Sequence, residues 1–423
     1  MTADPRLGTD DVERLLAGVE QADAEARRAW PGTPQTRQPV QVYYVSADRV
    51  GGSTVADAGA VAARLLDAHA GDGPTLLAAC GIDGLPDDVA DRVRDRVGAK
   101  LADQPLEDLR VDFEDGYLGR DQATEAADAT RTGGAVAELL ARDDAPPFVG
   151  LRVKSFTDGL ARRSVATLDR FLAALLDGTG GALPAGFAVT FPKIVAVAHV
   201  AAFVDVLDAL ETAYGLAAGS LRFEAQIETT PSVLGPDGRV ALRDLRDAGA
   251  GRMCAAHVGV YDYSAGLGLP PAEQRLDHPA LDAARHLLQI SFAGSEVRLS
   301  DGSTNAVPAD DGEAEVRRVW QRHSGDVRHS LRHGFVQGWD LHPSHLVSRY
   351  TTVYADLLRD LDDVLDRLAA WHGGSSAAGV MDEPATVRAM LHQVQRAVDC
   401  GAIDPSEVAR RIGATVEPRP AVR

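Results

Sequence analysis

Apolar and polar positions along this chain follow two periods, and the switch between them recurs. Short β-prone runs bounded by turn residues carry the period of a strand: VQVYYVS (40–46), DLRVDFED (108–115), FVGLRVKS (148–155), FAVTFPK (187–193), LRFEAQIE (221–228), MCAAHVGVYD (253–262), EVRLSD (296–301) and GFVQGWDLH (334–342). Between most of them lie Ala/Leu-rich stretches with a helical period, such as ATEAADATRTGGAVAELLARD, SVATLDRFLAALLDG and AVAHVAAFVDVLDALETAYG. Strand followed by helix, repeated about eight times, predicts a parallel α/β sheet, and eight units favour a closed (β/α)8 TIM barrel over an open sheet.

The flanks read differently. Residues 9–29 predict one helix with Val12, Leu15, Leu16 and Val19 at helical spacing, followed by the linker WPGTPQTRQP. Near the other end VYADLLRDLDDVLDRLAAWHGG predicts one long helix, then a Gly/Ser/Ala break at 373–379 and two short helical patterns up to residue 413. The expected organisation is an N-terminal helical arm and linker (1–36), a barrel (37–355) and a C-terminal helical extension (356–423).

Charge narrows the function classes. With 43 basic and 62 acidic residues the net charge is −19, which repels phosphate backbones and anionic lipid, so neither nucleic acid nor membrane is an expected partner. Cys80, Cys254 and Cys400 are far apart with no CxxC pairing, which fits small apolar fillers in a reducing compartment better than a disulfide framework or zinc ribbon. The first residues lack a basic segment leading into an apolar one, and no uninterrupted apolar run is long enough to span a bilayer; the expectation is a soluble cytoplasmic protein.

Candidate chemistry lies at the strand ends, where barrels of this kind place their catalytic groups. Those ends supply Asp112, Glu114 and Asp115, then Arg152, Lys193, Gln226 with Glu228, and Asp262. Side chains alternate along a strand, so Glu224, Gln226 and Glu228 share one face, and buried carboxylates there need a cation, donors or a raised pKa. A hard divalent ion held by Glu228 and Asp262 answers that need. Blander roles compete: Asp115 or Asp262 as a helix cap, Glu224 as the partner of a basic residue lower in the barrel, Arg152 and Lys193 as salt-bridge partners, and His342 as a structural turn residue.

In order, VDFEDGY, LRVKSF, FPKI, QIETTPSVL, HVGVYDYS and GFVQGWDLHPSHL resemble the successive motifs of the HpcH/HpaI aldolase and citrate lyase β-subunit family, and GVMDEPATVRA (379–389) is similar to the tail of its citrate-lyase-like members. The resemblance covers roughly residues 40 to 390. It implies a (β/α)8 barrel binding Mg2+ or Mn2+ and cleaving or forming a carbon–carbon bond next to a 2-oxo acid, with a CoA thioester as a possible substrate. It further implies Glu228 and Asp262 as metal ligands, Arg152 as the clamp on a substrate carboxylate, and Asp112, Glu114 and Asp115 as acids near the metal waters. Lys193 matches the PK pair, Gln226 the substrate side, and Asp382 the region of a proton-transfer carboxylate that some relatives lend to a neighbouring subunit. Homo-oligomers, trimeric or hexameric, are expected. Glu114-Asp115 stands where aldolase members carry Glu-His, Gly338 stands where a basic residue precedes the IHP-like segment, and YVSADRVGG replaces an FVPG strand ending, as in an outlying subgroup of the citrate-lyase-like branch. A malate-synthase-like condensing acyltransferase using acetyl-CoA and glyoxylate, and a non-catalytic barrel, are the competing readings; the presence of both metal positions and Arg152 argues against the last.

Overall fold

The computed structural model describes residues 6–32, 34–373 and 383–421. The eight predicted runs are strands: β1 (Gln41–Ser46), β2 (Asp108–Asp112), β3 (Phe148–Arg152), β4 (Phe187–Phe191), β5 (Arg222–Ile227), β6 (Met253–Val258), β7 (Arg298–Ser300) and β8 (Gly338–Asp340). From β1 to β7 each strand pairs in parallel with the next, and β8 returns to β1 with Gln41 opposite Gly338. The circuit is completed thinly, by a bridge between Ser300 and Gln337 and by the bonds Asp301 N to Gln337 O (2.8 Å) and Trp339 N to Gly302 O (3.2 Å). The fold is a (β/α)8 barrel.

Its apolar core lies between strands and helices. Leu109, Val111, Leu151, Val189, Phe191 and Phe223 on the outer strand faces pack against Leu168, Phe171, Leu172, Phe203 and Leu207, with Phe191 and Phe203 stacked at 4.3 Å. Inside the ring, Val42, Tyr44 and Trp339 form a separate cluster. Their surroundings there are polar: Asp108, Arg110, Asp112, Arg152, Thr190, Glu224, Gln226 and His257 are all buried. Arg110 bonds Asp108 (2.8 and 3.1 Å) and Glu224 (3.2 Å from Nε), so Glu224 has the basic partner expected of it. Room for that guanidinium depends on Gly150, where a Cβ would lie 1.9 Å from the Ala188 carbonyl oxygen and 2.7 Å from Arg110 Nη1.

Two predicted helices are broken. Residues 9–29 form Thr9–Leu16 and Val19–Ala29, neither of which buries a residue; the apolar stripe read from the sequence faces outward. The long C-terminal helix divides at Asp360 into Pro343–Arg359, almost wholly buried, and Leu361–His372. Helices Pro384–Cys400 and Pro405–Ile412 follow, anchored where Tyr354 Oη donates to Cys400 O (2.7 Å). The tail then reaches the N-terminal linker, Pro420 O accepting from Arg37 N at 2.8 Å. All three cysteines are free and buried, and His342 caps its helix by accepting from Ser344 N (3.1 Å), both as expected. Among the described residues no helix is long and apolar enough to cross a membrane.

Candidate active site at the barrel mouth

β3 ends on Arg152, whose Nε and Nη2 bond the two oxygens of Asp112 at 2.7 and 2.6 Å. Asp112 also accepts from Glu114 N (2.9 Å) and Gly116 N (2.8 Å), so its lone pairs are occupied. The sequence places Asp112 among acids near a metal; the structure makes it the holder of Arg152. The remaining guanidinium nitrogen, Nη1, faces Glu114 (3.3 Å), Gln226 (3.5 Å) and Asp115 (3.6 Å). Tyr44 and Trp339, stacked on each other at 4.5 Å, floor the guanidinium at 5.2 and 5.7 Å from its centre.

After β4 the backbone turns at Lys193 with φ +48°, a conformation rare for a residue with a side chain and found preferentially at functional sites. The turn aims the Lys193 N–H at Glu228 Oε1 (2.7 Å) and sets the ammonium against Glu114 (2.5 Å), Asp115 (2.9 Å) and Asp262 (3.3 Å). Glu228 follows β5 and also accepts from Gln226 Nε2. Asp262 is no strand end: β6 stops at Val258, and Asp262 occupies the first turn of the helix Val260–Gly266 with its side chain 41% exposed. It makes no capping bond; the helix begins at Gly259, where a Cβ would lie 2.3 Å from that of Glu228. Glycine there leaves room for the Glu228 side chain. Asp382 lies outside the described residues.

Electrostatics divides these acids. Burial pushes the Glu228 carboxyl up to about 8, with Asp262 and Glu114 adding to the rise against Lys193. Burial likewise raises Glu114 to about 7 despite Arg152. Burial opposes ionisation of Asp115 too, but its hydrogen bond with Glu114 and the charges of Arg152 and Lys193 hold it below the usual range. Lys193 is itself desolvated, yet Glu228 and Glu114 keep its ammonium above its ordinary value. Burial thus favours the neutral form of Glu114, while the neighbouring cations favour the charged form of Asp115.

The donor set fits a hard divalent cation. Asp112, Glu114, Asp115 and Asp262 each contact the Arg152 guanidinium or the Lys193 ammonium, and Glu228 accepts from the Lys193 backbone N–H, so five carboxylates sit beside two cations in the oxygen-rich, anionic setting that such an ion takes. Oxygen donors from Glu228 and Asp262 would hold the ion, with Glu114 and Asp115 beside it.

Three residues of the mouth and its floor were not singled out in the sequence. Tyr44 and Trp339 shape the floor, and Trp339 Nε1 donates to His257 Nδ1 (2.7 Å), which places the imidazole proton on Nε2, 3.2 Å from Glu224. The alternation of YYVS and GWDL gave a face for each aromatic but nothing to join them across the ring.

The barrel is shared with a citrate lyase from Burkholderia xenovorans LB400, at a TM-score of 0.54 and 20% identity over 76% of this chain and 92% of that one. A malate synthase from Haloferax volcanii, in a lead(II) complex, superposes with a TM-score of 0.48 and 16% identity, covering 90% of this chain and 98% of its own. An HpcH/HpaI aldolase/citrate lyase family protein from Burkholderia cenocepacia J2315 gives 0.38 and 14%, covering 76% and 96%. These neighbours include the family that the sequence motifs resemble, and at such identities the likeness concerns the fold. No curated protein sequence matches the chain. Residues 19–421 match the model of the family described as a domain of unknown function, DUF6986, and the chain belongs to that family.

Proposed function

We propose that this protein is an enzyme that breaks or forms a carbon–carbon bond next to a 2-oxo acid, free or derived from a CoA ester, with Mg2+ or Mn2+ held by Glu228 and Asp262. The observation that carries this reading is the gathering of Glu114, Asp115 and Asp262 on the Lys193 ammonium beside Glu228, with Arg152 Nη1 3.3 Å from Glu114. The fold shared with a citrate lyase supports it.

Arg152 Nη1 would bind the substrate carboxylate; its guanidinium is held flat by Asp112 below and the Tyr44–Trp339 floor, so little ordering is needed on binding. Glu114, titrating near 7, takes the proton from the hydroxyl oxygen of the carbon that leaves as a carbonyl. The bond electrons pass to the 2-oxo group as an enolate, and the same proton returned to carbon completes the cleavage. A bound divalent ion supplies electrophilic stabilisation of that enolate charge. Lys193 keeps Asp115 ionised and holds Glu228 in place through its backbone N–H.

The test is turnover of a panel of hydroxylated 2-oxo acids and acyl-CoA esters by the wild-type chain and by Glu228→Gln and Asp262→Asn, with Mg2+ titrated. Activity dependent on Mg2+ and a fall in kcat/KM of at least about 100-fold in each variant is expected. Turnover indifferent to both the ion and Glu228 would refute the reading, and thiol release from acetyl-CoA with glyoxylate would assign the condensing reaction instead.

A further inference from the structure

Outside the barrel wall, the helices Pro279–Phe292 and Glu313–Arg332 face each other with two pairs of polar residues spaced by one turn, Asp282 with His286 and His329 with His333, the last being the C-cap of its helix. Side chains four apart on a helix lie on one face, so both pairs can reach a single point. His329 Nε2 is 2.7 Å and His333 Nε2 3.6 Å from Asp282 Oδ1, and one ligand atom from each of the three residues falls within 4.8 Å of the others. The His286 ring lies 5.3 Å from that of His333, and the rings of His329 and His333 lie 4.7 Å apart. Donors on a tetrahedral Zn2+, with bonds of about 2.0–2.1 Å, stand roughly 3.3 Å from one another, so small rotations would seat an ion.

We propose that Asp282, His286, His329 and His333 form a binding site for Zn2+ that ties these two helices together. Three imidazoles and one carboxylate are a donor set for a borderline transition ion, not for Mg2+ or Ca2+. Asp282, His329 and His333 are each 22–23% exposed, open enough for the ion to enter. Arg285 Nη1 fixes Asp282 through the same Oδ1 that faces His329 (2.7 Å), while its own charge is matched by Asp301 (2.9 and 3.0 Å), the residue that follows β7. Asp301 also accepts from Ser330 Oγ (2.6 Å), so the site stands over the thinly bonded closure between β7 and β8 and would brace it.

Calorimetric titration of the untagged chain with ZnCl2, under saturating Mg2+ to fill the barrel mouth, tests this directly. One Zn2+ per chain is expected, with a melting temperature raised by a few degrees, and both effects lost in His329→Gln/His333→Gln but kept in Glu228→Gln. His286→Gln, a change at an exposed position, should weaken binding by about tenfold and guards against misfolding of the double variant. No Zn2+ uptake by the wild type, equal affinity in the double variant, or no effect of His286→Gln would overturn the site.

Discussion

In the first turn of the helix Pro343–Arg359, His345 accepts from Leu341 N on Nδ1 (3.3 Å) and meets the Ala306 carbonyl oxygen with Nε2 (2.8 Å), an arrangement that a neutral ring satisfies and a second proton would break. Burial, with the His323 ring stacked at 4.5 Å, pushes this imidazole down to about 3. The unfolded chain takes its proton near 6.5, so between 6.5 and about 3 it binds a proton that the folded chain refuses, and stability falls as pH drops through that window. From pH 6.5 to 5 this one group costs about 2 kcal/mol. His323, lowered by its own burial despite Asp340, acts in the same direction. Asn at 345 offers an acceptor to Leu341 N without titrating. The urea midpoint of His345→Asn should therefore fall less between pH 7 and pH 5 than that of the wild type; parallel slopes would assign the acid sensitivity elsewhere.

At the scale of elements, the helix Thr9–Leu16 buries nothing, with Leu15 65% and Leu16 52% exposed. The chain engages the barrel only later, where Gly32 N donates to Gly294 O (2.8 Å) and Trp30 lies under Arg243. Removing residues 6–17 should leave the melting temperature within about 1 °C by scanning calorimetry, because none of them is buried; a larger drop would show that this helix packs on something. The eight strands were legible because each is short, β-prone and bounded by turns. The breaks at Gly18 and Asp360 were not, since neither interrupts the apolar spacing around it. Asp262 was read as a strand end because the apolar run MCAAHVGV passes Val258 without a polar stop, so the helix start at Val260 left no mark. Which polar residues gather at the mouth could be read from strand ends alone. Which of them hold one another could not: Asp112 and Arg152 are 40 residues apart, Lys193 and Glu114 79, and only the ring brings them together.

Across the whole molecule the barrel reverses the usual arrangement, placing apolar packing outside the ring of strands and charge within it. Arg110, fully buried, is the hub of that interior: Nη1 and Nη2 bond Asp108, Nε and Nη2 reach Glu224, and His257 approaches Glu224 from the other side. One guanidinium serves two acids, and burial raises Asp108 to about 7, while Glu224, equally desolvated, is held low by Arg110 and His257. Because Asp108 binds its proton more tightly folded than unfolded, where its ordinary value is 3.8, its contribution to stability declines as pH rises from about 4 to 7. Arg110→Met keeps most of the volume and removes the cation, leaving two carboxylates facing each other in a sealed interior. At pH 8 that should cost about 3–5 kcal/mol. Near pH 5.5 the loss should be smaller, because without the guanidinium Asp108 titrates higher still and is protonated. Urea midpoints at the two pH values decide between charge and packing: a deficit that grows with pH, and that Glu224→Gln partly relieves in the same background, identifies the unpaired carboxylates, whereas a deficit independent of pH would mean that Arg110 serves the barrel by filling space.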